Sequence, residues 1–60
     1  MEEYRCYFLN NAGMIVDFEQ LMCIDDERAW QRAMVLLTKR PRYHAIELWS
    51  FGRKIVQHIH

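Results

Sequence analysis

The sequence predicts a small α+β domain in which one helix packs on a four-stranded antiparallel sheet, in the order strand, strand, helix, strand, strand. Three observations lead there. Residues 25–40 (DDERAWQRAMVLLTKR) repeat apolar side chains at helical spacing. On each side of that stretch lie two short runs rich in aromatic and β-branched residues, joined by a Gly-containing turn. A chain of 60 residues has room for one domain, residues 1–60, and a lone helix covers only one face of a sheet.

Residues 4–9 (YRCYFL) read as the first strand, with Tyr4, Cys6 and Phe8 on one face and Arg5, Tyr7 and Leu9 on the other. Asn10-Asn11-Ala12-Gly13 makes the turn, and Gly13 can take the left-handed conformation that closes a type I turn with a bulge. Residues 14–23 (MIVDFEQLMC) form the second strand. Pairing Asn10 with Met14 sets Phe8 against Val16, Cys6 against Phe18 and Arg5 against Glu19. That register gathers one apolar face and leaves an ion pair on the other. A four-residue loop would pair Leu9 with Met14 and bring Asp17 beside Cys6, which is worse. Leu21 and Cys23 also read as buried, so a bulge near the middle of the strand is expected. The expected core of this hairpin is Tyr4, Cys6, Phe8 and Phe18.

In the helix, Ala29, Trp30, Ala33, Met34, Leu36 and Leu37 share an apolar face, and Arg28, Gln31, Arg32, Thr38 and Lys39 lie opposite. Val35 is a single exposed apolar residue, which is ordinary. Asp25 is the N-cap, since its carboxylate accepts from the free amides of the first turn. Asp26 and Glu27 complement the positive end of the helix dipole, and Lys39 and Arg40 the negative end. Pro41 ends the helix at or just before Arg40.

Residues 44–49 (HAIELW) form the third strand, with Ile46 and Leu48 pointing one way and Ala45, Glu47 and Trp49 the other. Ser50-Phe51-Gly52 is a tight turn, and residues 53–59 (RKIVQHI) form the fourth strand. Whether Ile55 or Val56 faces the helix depends on the turn type, and the sequence leaves it open. A right-handed crossover from the second strand over the helix places the third strand beside the first. The expected sheet order is 2-1-3-4, with the second and fourth strands at the edges.

The segment YRCYFLN, the Gly-containing turn, Asp25-Asp26 before an alanine-containing helix, and IELW followed by GR and a short strand resemble a group of short uncharacterised proteins common in alphaproteobacteria. The resemblance spans nearly the whole chain. It implies this layout and a bacterial, cytoplasmic setting. That group has no assigned activity, so it carries no catalytic residues onto this sequence.

Net charge is zero but unevenly spread: seven acids and one base precede Arg28, and seven bases and one acid follow from it onward. Helix capping explains part of the split, and Asp17 and Glu19 against Arg53 and Lys54 place opposite charges toward opposite sheet edges. The start, MEEYRCYFLNNAG, is acidic and lacks the apolar run of a signal peptide, and no segment is long enough to span a bilayer. The expectation is a cytoplasmic protein with no membrane partner.

Cys6 and Cys23 lack metal-ligand spacing. In either hairpin register they lie about 17–20 Å apart at about 3.3 Å per residue, too far for a disulfide. Two small buried hydrophobes in a reducing compartment account for both. If Trp49 pairs with Arg53, His44 faces His58, and His60 joins them in a corner that could hold zinc, nickel or copper, though solvated histidines at a frayed terminus explain the same residues. No nucleophile–base pair, phosphate loop or paired-acid motif stands out, so neither an enzyme nor a cofactor is expected.

The outer sheet face carries the remaining expectation. Arg5, Tyr7, Leu9, Ile15, Trp49 and Arg53 are the candidate interaction surface, and a homodimer covering this face or extending the sheet is the expected state. Pairing the second strand with itself would oppose acids with acids, which favours face-to-face packing or an interface through the third and fourth strands. An unidentified protein partner fits the same surface. The alternative is a ligand or nucleic-acid binder that stacks bases on Tyr7 and Trp49 beside Arg5, Arg53 and Lys54. Nucleic acid is disfavoured, because the chain has no positive excess and Asp17, Glu19 and Glu47 are assigned to that face.

Overall fold

The computed structural model describes residues 1–59, in the elements β1 (Glu2–Leu9), β2 (Ile15–Cys23), α1 (Asp26–Thr38), β3 (Ala45–Ser50) and β4 (Arg53–Ile59). The strands form one open sheet in the order β2-β1-β3-β4, every neighbouring pair antiparallel. The α+β class and the strand order are those expected from the sequence.

Helix α1 begins where the caps place it. Asp25 is extended (φ −151°, ψ 175°), and its carboxylate accepts from the Arg28 amide at 2.8 Å. The helix ends at Thr38, with Lys39 as C-cap, and a turn through Pro41 is closed by the Tyr43 amide on the Arg40 carbonyl (3.1 Å). Ala29, Ala33 and Leu37 are buried against the sheet. Below them lie Tyr4, Cys6, Phe8, Leu21, Cys23, Tyr43, Ile46 and Leu48, with Trp30, Leu36, Ile55 and Val56 packed around the edge of this core. Small alanines at the contact let the helix backbone approach the sheet closely, so large side chains from β1 and β3 can fill the layer.

The first hairpin starts in the expected register and then departs from it. The Asn10 amide donates to the Met14 carbonyl (3.0 Å), Leu9 pairs with Ile15, and Gly13 takes φ 79° in the turn. Val16 is then skipped as a bulge, so Phe8 pairs with Asp17, Tyr7 with Phe18 and Cys6 with Glu19. The expected bulge exists, but it lies at the start of β2 rather than its middle. One skipped residue swaps the faces of everything between it and the strand's end. Leu21 and Cys23 are buried, as expected, while Phe18 is 51% exposed on the outer face and is not a core residue. Asp17 and Glu19 turn to the helix side instead. There the chain neutralises them: the Tyr43 hydroxyl donates to Asp17 (2.9 Å), and Arg40 forms an ion pair with Glu19. That pairing is the physical reason the acids can face inward.

The second hairpin differs in the same way. The loop is two residues, Phe51-Gly52, so Ser50 pairs with Arg53 and Trp49 with Lys54, rather than Trp49 with Arg53. A second bulge at Ile55 then sets Leu48 against Val56. Because a bulge lets two successive residues face one opposite residue, both Ile55 and Val56 reach the core. The sequence question of which one faces the helix therefore has the answer both.

Polar side chains close the two open ends of the helix–sheet layer. At one end, the Tyr4 hydroxyl donates to Asp26 (2.7 Å), Arg53 lies 3.7 Å from the same carboxylate, and Ser50 donates to the Glu3 carbonyl (2.9 Å). At the other, Arg42 lies over Tyr43 (4.9 Å), Tyr43 stacks on Phe8 (5.0 Å), and Arg40 lies over the Phe8 ring (4.9 Å). Among the described residues no buried side-chain nitrogen or oxygen lacks a partner.

Candidate functional site

The bulges decide which residues share the uncovered face of the sheet. Following the strand pairs across it, one row reads Ile15, Leu9, Ala45, Ile59. The next reads Phe18, Tyr7, Glu47, Gln57, and the third Gln20, Arg5, Trp49, Lys54. Among the described residues no helix lies over these rows, because α1 occupies the opposite side.

The middle of this face is aromatic. Tyr7 sits 6.2 Å from Phe18 at an interplanar angle of 42°, and 6.4 Å from Trp49 edge-on at 84°. These are favoured geometries for rings with a negative face and a positive edge. The Arg5 guanidinium carbon is 5.6 Å from the Phe18 ring centre. The Trp49 indole N–H donates to Glu47 (3.0 Å), and the Lys54 ammonium lies 3.7 Å from the other Glu47 oxygen and donates to Gln57 (3.1 Å). Trp49, Glu47, Lys54 and Gln57 thus pair their polar atoms with one another, and apolar surface lies beside them. Ile15, Phe18, Met22 and Ile59 are each about half exposed or more. At one end, the face dips into an open-sided hollow of about 330 Å³ lined by Glu3, Arg5, Tyr7, Trp49 and Phe51.

Of the residues singled out from the sequence, Arg5, Tyr7, Leu9, Ile15 and Trp49 lie together on this face, with Leu9 buried among its neighbours. Arg53 does not join them, because it pairs with Ser50 on the helix side and is held toward Asp26. Asp17 and Glu19 are likewise on the helix side, so they do not share the face with Glu47. Sequence reasoning missed Phe18 and Phe51. For Phe18 a signal existed: Leu21 and Cys23 have the same parity as Asp17 and Glu19, so burying the first pair turns Phe18 outward.

The histidine corner is not assembled as expected. His58 pairs with Ile46 rather than His44, and its ring meets the edge of Trp30 at 6.0 Å. His60 lies outside the described residues, among which no group of three or more His, Cys, Asp or Glu is placed to hold a metal. Cys23 lies four positions beyond Glu19, the partner of Cys6, about 13 Å along the strand rather than 17–20 Å, and both thiols are free and buried.

The shifted titrations all belong to the helix side. Burial pushes the Cys6 thiol up to about 12, with the neighbouring Cys23 and Glu19 adding to it. Burial also raises the Tyr4 phenol, reinforced by its bond to Asp26. The Tyr43 hydroxyl, then the Phe18 amide, hold Asp17 below the ordinary carboxylate range. All three groups belong to the helix side of the sheet, facing away from the aromatic face. Among the described residues no helix is long and apolar enough to cross a membrane. No protein-family model, curated protein or solved structure matches the chain, so the role of the outer face rests on its own residues.

Proposed function

We propose that this chain is a non-catalytic interaction module whose working surface is the outer face of the sheet, and that it self-associates through that face. The observation that carries the reading is the aromatic cluster of exposed Phe18 with half-buried Tyr7 and Trp49, on a sheet face that no other described element covers. Contiguous apolar surface of this kind on a small domain marks a contact site, and a core this small gains stability from a partner. The groups with shifted titration are engaged in holding the helix to the sheet, which supports a role without catalysis. Two unpaired buried cysteines fit a reducing, cytoplasmic setting. The resemblance to the alphaproteobacterial group agrees with that setting.

Edge pairing through β2 stays less favourable than face-to-face packing, for a changed reason. Asp17 and Glu19 are neutralised within the chain, but as inward-pointing charges on an edge strand they oppose a second strand laid beside them. Sedimentation of the chain from about 10 µM to about 500 µM tests the reading by mass action. Self-association that Phe18→Lys abolishes is the expected result. A partnerless monomer whose aromatic amide shifts stay constant over that range sinks it.

One observation favours a second reading. Arg5 over Phe18, beside Tyr7 and Trp49, is an arrangement on which single-stranded bases stack. Glu3 and Glu47 cancel Arg5 and Lys54 on the same face, so the positive excess that draws in phosphates is missing. Salt-sensitive binding of a short oligothymidylate would favour this alternative over self-association.

A further inference from the structure

The loop between β3 and β4 carries a residue that the fold of a single chain does not explain. A two-residue hairpin loop with positive φ at both positions favours Asn-Gly or Gly-Gly. Here the pair is Phe51 at φ 52° and Gly52 at φ 73°. A bulky aromatic in the left-handed region is a true outlier. Phe51 is 83% exposed, so packing among the described residues does little to compensate the backbone. Such an outlier points toward function. The Phe51 ring forms one wall of the hollow whose other walls include Arg5, Tyr7 and Trp49.

We infer that the occupant of the outer face is a second copy of this chain, and that Phe51 of each copy seats in the other's hollow between Tyr7, Trp49 and Arg5. This rests on the outer face being the working surface, and it adds the partner and the anchor. Two features fit a second copy. Knob and hollow adjoin on one surface, which a two-fold contact requires because the same patch serves both subunits. The face carries two acids, Glu3 and Glu47, and two bases, Arg5 and Lys54, so it meets its own copy without net repulsion. An aromatic ring seated in a partner's pocket is a common form of binding anchor.

The test is Phe51→Asn, which installs Asn-Gly in a loop built for it. The thermal midpoint at dilutions where the chain is monomeric should hold or rise, while the association measured by sedimentation weakens at least about tenfold. Stability and association moving in opposite directions supports the anchor, since a merely damaged fold would lower both. A wild-type chain that stays monomeric to about 500 µM overturns the second copy as occupant, while the outer face could still serve another protein. A wild-type dimer whose affinity Phe51→Asn leaves unchanged also overturns the inference. If Phe18→Lys dissociates that dimer, the outer-face reading stands without the anchor; if neither variant does, both fall.

Discussion

Replacing Phe8 with Leu tests the stack that fastens the loop after α1 to the sheet. Phe8 is fully buried, with Tyr43 stacked on its ring (5.0 Å, 28°) and the Arg40 guanidinium also over that ring (4.9 Å). The substitution keeps an apolar side chain and removes both ring contacts. An aromatic pair contributes about 1 kcal/mol beyond its buried area. A cation over a ring contributes about 0.5–1 kcal/mol here, since the Arg40 side chain is 31% exposed and partly screened. The lost ring carbons and the gap they leave add about 1 kcal/mol. The sum is about 3 kcal/mol, a large share of the roughly 3–9 kcal/mol available to a chain this size. Urea unfolding followed by circular dichroism, at one fixed protein concentration, measures it. Ile46→Val, at a fully buried site with no ring partner, is the reference and should cost about 1 kcal/mol. In a double-mutant cycle with Tyr43→Leu, the coupling should be about 1 kcal/mol. If Phe8→Leu costs no more than Ile46→Val and the coupling is near zero, the stack contributes nothing and the reasoning fails.

Two further outcomes follow from the shifted acid and the first bulge. Asp17 has a depressed folded pKa, so its bond to Tyr43 stabilises the fold above the unfolded carboxylate value of about 4 and the contribution is lost as pH falls through the folded value. Tyr43→Phe should therefore have a lower urea midpoint than the wild type at neutral pH, with the gap narrowing at about pH 2; a gap that stays constant with pH contradicts the assignment. Deleting Val16, which is skipped in the ladder, should leave Phe8 opposite Asp17 and change stability by no more than about 1 kcal/mol. Nuclear Overhauser contacts between Tyr7 and Phe18 should persist in that variant, and their loss would mean that the extra residue sets the register of the whole strand.

The sequence read alone went wrong where one residue changes the parity of a strand. The local chemistry was sound: Asn10 and Gly13 made the expected turn, and the first pairs of the hairpin followed. Beyond Val16, two registers compete. Each buries Tyr4, Cys6 and Phe8; one turns Val16, Phe18 and Met22 to the helix, the other Leu21 and Cys23 together with Asp17 and Glu19. Apolar counting favours Phe18 inside. What outweighs it is Arg40 and Tyr43, more than twenty residues away in sequence, which reach back to neutralise those acids. The same distance hid Arg53, assigned to the outer surface by alternation and drawn to the helix side by a two-residue loop and Asp26.

The sequence by itself therefore determined what local physics controls: the helix and its Asp25 cap, the stop before Pro41, the Gly-bearing turns, the two-layer class and the strand order. It also placed Arg5, Tyr7 and Trp49 on one face, since β1 and β3 alternate without interruption there, and Ile15 beside them through the first pair after the turn. Only the tertiary structure decided the membership of Phe18 and Phe51 in that face and the inward turn of the acids. A bulge shifts a strand by one residue for little local energy, and its position is chosen by contacts between residues far apart in the chain.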